Sequence, residues 1–173
     1  MSTIEGLKPF VLLGGYNAAE LWPTINLITP TWLLLAVAPR WEWTPALTLV
    51  GPVFFAAMYA LSATSLMLFG GDGATDIDFS SLEGIVNLFR DPNGVFVGWI
   101  HYVAYDALIG RWIALDAAAR GCSLSMHAVA VVPCLFLALM FGPMGWLLYL
   151  AVVRPFLPGA AASDTNPREK KNV

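Results

Sequence analysis

The sequence predicts an all-α, polytopic membrane protein: four transmembrane helices in a single domain over residues 1–154, a short interfacial amphipathic helix between the second and third, and a disordered tail over 155–173. The first observation behind this is composition. Of 173 residues, 58% are apolar and 12% charged, about half the charged fraction of an ordinary soluble domain. The second is where the charges fall. Leu21 to Pro39, Trp43 to Gly71, and Gly121 up to Arg154 carry none, and each interval meets or nearly meets the roughly 20 residues needed to cross about 30 Å of hydrocarbon. A further apolar stretch, Pro92 to Leu115, is interrupted only by Asp106 and Arg111. The remaining loops are too short for a separate globular domain, which excludes a soluble enzyme held by an anchor.

The first span is predicted at about 16–38, closed by Pro39 and Arg40, with Trp41 and Trp43 suited to an interfacial belt. Pro23 and Pro30 kink or delay its start. The second, about 45–69, ends at Gly70-Gly71 before an acidic turn containing Asp72, Asp76 and Asp78. Behind Ser80-Ser81, the helical spacing of Leu82, Ile85, Val86 and Phe89 predicts the interfacial helix at about 80–89. The third span covers about 94–116 and the fourth about 126–153. Pro133 and Gly142-Pro143 inside the fourth remove backbone bonds that only protein neighbours can replace, so they favour contact with protein over lipid. The tail from Pro155 is rich in Ala, Pro, Asn and charge, a composition that does not form a core.

Several function classes are excluded. A net charge of −3 leaves no basic footprint for nucleic acid. Cys122 and Cys134 lack C-x-x-C spacing and read as small apolar fillers. No metal, phosphate or nucleophile-elbow motif is present, so neither a metal nor a soluble cofactor is expected. The opening Met1-Ser2-Thr3-Ile4-Glu5-Gly6 resembles neither a secretory nor a transit peptide, so insertion is expected to be directed by the first span. The Ala-rich, Arg-biased composition points to a bacterial inner membrane. With four spans, the excess of Lys and Arg falls on the side shared by both termini, which places them in the cytoplasm.

Ionisable residues inside a span cost about 2.5–3.5 kcal/mol on insertion scales, so each is a candidate for function. The third span carries most of them. At about 100° per residue, His101, Tyr105, Leu108, Trp112 and Leu115 share a face, Asp116 sits near its edge, and Asp106 lies about 140° from His101 beside Trp99 and Gly110. Asp106 and Arg111, five residues apart, are not natural intrahelical partners. One reading is structural: Asp106 bonds a neighbouring helix while Arg111 and Asp116 snorkel to headgroups. The other has His101 and Asp106 lining a polar cavity as proton-transfer groups. Outside this span, Glu20 reads as interfacial, Asn26 as bonding another helix, Glu83 as a solvated residue or an acid on the amphipathic helix, and His127 as an interface residue.

The pattern Trp99-x-His101-x4-Asp106-x3-Gly110-Arg111-Trp112, followed by Asp116, resembles the abscisic-acid-deficient-four-like family of small integral membrane proteins. Val37-Ala38-Pro39, the Leu82-Glu83-Gly84-Ile85 to Leu88-Phe89 segment and Phe141-Gly142-Pro143-x-Gly145 add to it, and the likeness covers roughly Asn26 to Arg154. The resemblance implies a neoxanthin-synthase-like protein acting on a xanthophyll in the membrane, in plants by converting violaxanthin to neoxanthin. That isomerisation opens an epoxide to an alcohol while a neighbouring C–H proton is lost to leave an allene; it needs an acid and a base but no redox cofactor. On this resemblance His101, Asp106 and Glu83 are the candidate acid–base residues, and Asn26, Trp99, Tyr105, Arg111, Trp112 and Asp116 the candidate substrate contacts. The partners implied are membrane lipid and a carotenoid or other apolar small molecule. The abundant Trp, Phe and Tyr also suit a non-enzymatic carotenoid- or lipid-binding protein. A small transporter is disfavoured, because no inverted repeat of broken spans is present.

Overall fold

The computed structural model describes residues 5–70 and 78–159; the predicted acidic-turn residues Asp72 and Asp76 and the tail beyond Gly159 lie outside them. Among the described residues the fold is wholly helical. The α-helices are α1 (Ala18–Leu21), α2 (Thr29–Val37), α3 (Thr44–Phe69), α4 (Leu82–Arg90), α5 (Pro92–Ala119), α6 (Leu124–Met126), α7 (Val132–Phe141) and α8 (Pro143–Leu148). 3₁₀ turns occupy Val11–Leu13, Trp22–Ile28 and Arg154–Phe156, and π turns occupy His127–Val131 and Tyr149–Val153.

The chain enters through a capping box. The Asn17 side chain accepts from the backbone N–H groups of Ala19 and Glu20, and Glu20 Oε2 accepts from the Asn17 N–H at 2.8 Å, satisfying donors that a helix start leaves free. Glu20 is exposed as predicted, but its carboxylate has this capping role. The Trp22–Ile28 turn is 3₁₀ because Pro30 supplies no N–H to the Asn26 carbonyl; that carbonyl accepts from Thr29 instead. Asn26 is exposed and donates to the Pro23 carbonyl of its own turn at 3.2 Å, so the expected bond to another helix is not made. Along α3, the buried residues Thr44, Thr48, Pro52, Phe55, Met58, Ser62 and Ser65 recur at three- and four-residue steps. This stripe, polar at both ends and apolar at Phe55 and Met58, faces inward and runs antiparallel to α5, whereas Val50, Val53, Leu61 and Leu68 face outward. Helix α5 carries Gly110, whose missing Cβ admits the Trp32 ring of α2.

Ser81 caps α4, its Oγ accepting from Gly84 N–H at 3.1 Å. The helix spans Leu82–Arg90, close to the predicted 80–89, and lays Phe89 over Gly98 of α5, where a Cβ would lie 2.7 Å from the ring. Just ahead of the cap, Asp78 accepts from Ser80 N–H, Ser80 Oγ and Ser81 Oγ. Those bonds, chiefly the one from the Ser80 hydroxyl, hold its carboxyl down at about 2, although burial opposes the shift slightly.

The predicted fourth span is not one helix. After Leu124–Phe141 the backbone turns at Gly142 (φ 52°, ψ −103°) and α8 returns antiparallel along α7. Cys134 and Gly145 would be about 16 Å apart on a straight helix, yet a Cβ on Gly145 would collide with the backbone of Ala138 and Cys134. The reason is local: Gly142 alone accepts that φ/ψ combination, and Pro143 starts the next helix at its first position. Each limb also contains a π turn just ahead of a proline, Pro133 or Pro155. A wider turn relieves the clash between a proline ring and the carbonyl four residues earlier.

This hairpin changes the ends of the bundle. Lys8 Nζ donates to the Gly70 carbonyl at 2.6 Å. The buried Asn93 amide, with its oxygen accepting from Lys8 N–H (3.1 Å) and its nitrogen donating to Lys8 C=O (3.2 Å), fixes the same segment. Phe10 packs on Phe96 at 5.7 Å. Arg154, by contrast, bonds Asp116 at the far end of α5. The two ends of the described chain therefore lie at opposite ends of the bundle, correcting the expectation that they share a side. The folded region also extends past residue 154, because Leu157 is buried in the core.

The surface is apolar to an unusual degree: Leu33, Val37, Val50, Val129, Phe136 and Leu147 are all more than half exposed. Two helical segments, Thr44–Phe69 and Leu124–Phe141, are long and apolar enough to cross a membrane. Thr48 Oγ1 donates to Thr44 C=O at 2.5 Å within its own helix, whereas the buried Ser65 Oγ has no partner among the described residues.

Candidate functional site

Two of the cavities that helix α5 lines lie on opposite sides of it. The first, of about 360 Å³, lies between the start of the chain's first long segment (Ile25, Ile28, Trp32), α5 (Trp99, Tyr102, Val103, Asp106) and the hairpin tip from Leu139 to Pro143. Asp106 is the one carboxyl among its lining residues, with the Tyr102 phenol one helical turn before it. Its Oδ1 would lie 2.7 Å from a Cβ on Gly142, so the carboxyl rests against the bare backbone of the turn. Among the described residues, it has no hydrogen-bond partner. Trp99 stacks on Trp22 at 5.9 Å and closes one side of this cavity.

The second cavity, of about 180 Å³, is lined by α3 (Tyr59, Ala63, Leu66), α4 (Ile85, Leu88, Phe89) and α5 (Gly94, Gly98, His101). His101 here is the centre of an aromatic group, with ring centroids 5.0 Å from Tyr59, 4.6 Å from Tyr105 and 5.9 Å from Tyr102. His101 and Asp106 thus face different cavities, as five helical steps of 100° require, and do not form the acid–base pair that the span suggested. Glu83 is exposed on α4 and lines neither cavity.

The other candidates are held in structural contacts near the opposite end. Asp116 Oδ2 accepts from Arg120 Nε (2.9 Å), Tyr149 Oη (2.6 Å) and Arg154 Nε (2.9 Å), and Oδ1 accepts from Arg154 Nη2 (3.3 Å). Trp112 meets Tyr149 edge-on at 5.8 Å and lies beneath the Arg154 guanidinium, also at 5.8 Å. Arg111 donates to the Pro45 carbonyl at 2.8 Å. His127, expected at an interface, is buried and bonds the Leu35 carbonyl at 3.0 Å, one of the four that the end of α2 leaves without an intrahelical partner. Nearby, Arg40 donates to the Cys122 carbonyl, tying together the two loops of this end, and burial pushes the Cys122 thiol up. Among the described residues, no three His, Cys, Asp or Glu side chains gather as a metal site.

Sequence reasoning missed Gly142, Tyr149, Trp32 and Tyr102. The Gly-Pro dipeptide was the available signal for Gly142, and the four-residue step to Asp106 was the signal for Tyr102; Trp32 and Tyr149 enter only through contacts remote in sequence.

A small helical bundle with an apolar exterior and, among the described residues, an unpartnered carboxyl in an open, mostly apolar cavity is the class of protein that these features define. The profile of the ABA DEFICIENT 4-like family matches residues 21–149, and the chain belongs to that family, as its third-segment motif suggested. No curated protein and no solved structure matches it.

Proposed function

We propose that the protein is an integral membrane isomerase of a xanthophyll epoxide, with Asp106 as its acid–base group. The observation that carries this reading is the single carboxyl on an otherwise apolar and aromatic cavity wall. Its volume of about 360 Å³ falls within the roughly 300–1,000 Å³ of small-molecule sites and takes the ring end of a carotenoid, while the polyene lies along the apolar outer surface. Trp99, Tyr102 and Trp32 supply flat walls for the ring. The apolar exterior and the two helices of membrane-crossing length support residence in lipid, with α4 at the interface.

A protonated carboxyl is donor and acceptor at once, so one residue suffices for the chemistry. Asp106 donates its proton to the epoxide oxygen as one C–O bond breaks, leaving a hydroxyl on the other carbon. Its second oxygen takes the proton from the adjacent vinylic carbon, and that C–H electron pair becomes the new double bond of the allene. No electrons are gained or lost, and Asp106 ends protonated, as it began. His101 takes no part in this step.

The test is expression in a violaxanthin-producing host. The parent chain should form an allenic isomer, and Asp106→Asn, still folded, should abolish it while His101→Ala retains it. A second reading, binding without turnover, is favoured by the mostly apolar and aromatic lining of the cavity. Pigment that copurifies with the parent and remains chemically unchanged would select it over catalysis.

A further inference from the structure

Resting on the reading that the bundle is embedded in a membrane, we infer that α7 and α8 form a re-entrant hairpin, so the chain crosses three times and its two ends face opposite sides, with the carboxy-terminal end in the cytoplasm. The depth of the hairpin follows from α5. Its 28 residues measure about 42 Å, and Asp106 stands at their midpoint, about 20 Å from either end. The turn at Gly142 touches Asp106, so the tip reaches the middle of the bundle. From there the return limb runs alongside α5 for about 15 Å and arrives at Asp116, where Tyr149 and Arg154 bind. Both feet of the hairpin stand at one end, since Arg40 of the α2–α3 loop also holds Cys122 at the outgoing foot. Backbone that turns inside a bilayer must be shielded by protein, and here α5 covers the turn.

The refolded topology sorts the charges more sharply than four crossings would. At the amino-terminal end the described residues carry two cations, Lys8 and Arg90, against five carboxylates, those of Glu5, Glu20, Asp78, Glu83 and Asp91. The other end has four cations, Arg40, Arg111, Arg120 and Arg154, against Glu42 and Asp116. Arg168, Lys170 and Lys171 follow this end in the sequence. Lys and Arg in short flanking segments favour the cytoplasmic side, so the Asp116 end faces the cytoplasm, and α4 lies on the opposite face.

The experiment places single new cysteines in the full chain at three exposed sites, Asn87→Cys on α4, Glu42→Cys in the α2–α3 loop and Gly159→Cys after the hairpin. The parent, whose two cysteines are buried, is the blank. A charged, membrane-impermeant maleimide added to intact bacterial cells should label Asn87→Cys alone; Glu42→Cys and Gly159→Cys should gain label only after lysis. Labelling of Gly159→Cys together with Asn87→Cys in intact cells would overturn the hairpin topology, and labelling of Glu42→Cys from outside would overturn the orientation. Release of the parent chain from membranes by alkaline carbonate would instead defeat the membrane reading itself, which distinguishes the two failures.

Discussion

Replacing Gly142 with Ala strikes the turn that closes the hairpin, and the structure supplies both parts of the cost. At φ 52° and ψ −103° an L-residue is strained by about 1–3 kcal/mol. The added methyl would also sit 2.7 Å from Asp106 Oδ1, well inside contact distance, and overpacking of that kind costs about 1–3 kcal/mol. Some relaxation of the carboxyl is available because it opens onto a cavity, so the total should be about 3 kcal/mol, roughly a hundredfold in the unfolding equilibrium. Removing the obstacle isolates the two contributions. In an Asp106→Ala background the same substitution should cost only the backbone part, about 2 kcal/mol, leaving a coupling of about 1 kcal/mol between the sites. Denaturation in mixed micelles, followed by fluorescence of the seven tryptophans, measures all four proteins. A change below about 0.5 kcal/mol in Gly142→Ala, the scatter of ordinary surface substitutions, would refute the turn geometry. Full additivity would refute the contact with Asp106.

Asp116→Asn should destabilise the bundle by about 2–3 kcal/mol in the same assay, because two arginines and a buried tyrosine hydroxyl lose a charged acceptor; Tyr149→Phe should cost only about 1 kcal/mol, since Arg120 and Arg154 still neutralise the carboxylate. Asp78 should titrate at about 2 by carbon-detected NMR, and Ser80→Ala should move that midpoint upward. Because its folded-state value lies below the ordinary 3.8, Asp78 favours the folded state above about pH 4, and that contribution is lost as the pH falls through about 2. A midpoint near 3.8 in the parent would show that the serine hydroxyls do not bind it.

The helices were legible wherever a pattern is local. Charge-free intervals located α2 and α3, the third apolar stretch located α5, and the Leu82, Ile85, Val86 and Phe89 spacing located α4 to within two residues. The opposed directions of His101 and Asp106 followed from helical geometry alone. The hairpin was not legible in the same way, because a Gly-Pro inside an apolar run fits a kinked span as well as a reversal. What decides between them is the approach of Gly145 to Cys134 and Ala138, and no local pattern encodes that approach. The roles of Asp116 and His127 depended on partners more than thirty residues away: Tyr149 and Arg154 for one, Leu35 for the other. Asn17-x-x-Glu20 has the spacing of a capping box and lies ahead of the first charge-free interval.

The 3₁₀ turn at Trp22–Ile28 bears on length. A 3₁₀ helix rises about 2.0 Å per residue against 1.5 Å for an α-helix, so these seven residues advance about 14 Å where an α-helix would advance about 10 Å. Joined to α2, they carry a 16-residue path about 27 Å, close to the thickness that would otherwise demand two or three more residues. Pro23 and Pro30, which look like interruptions, therefore act as extenders, and replacing Pro30 with a good helix former would restore the missing donor and draw Trp22 inward, away from Trp99, by about one ring's width.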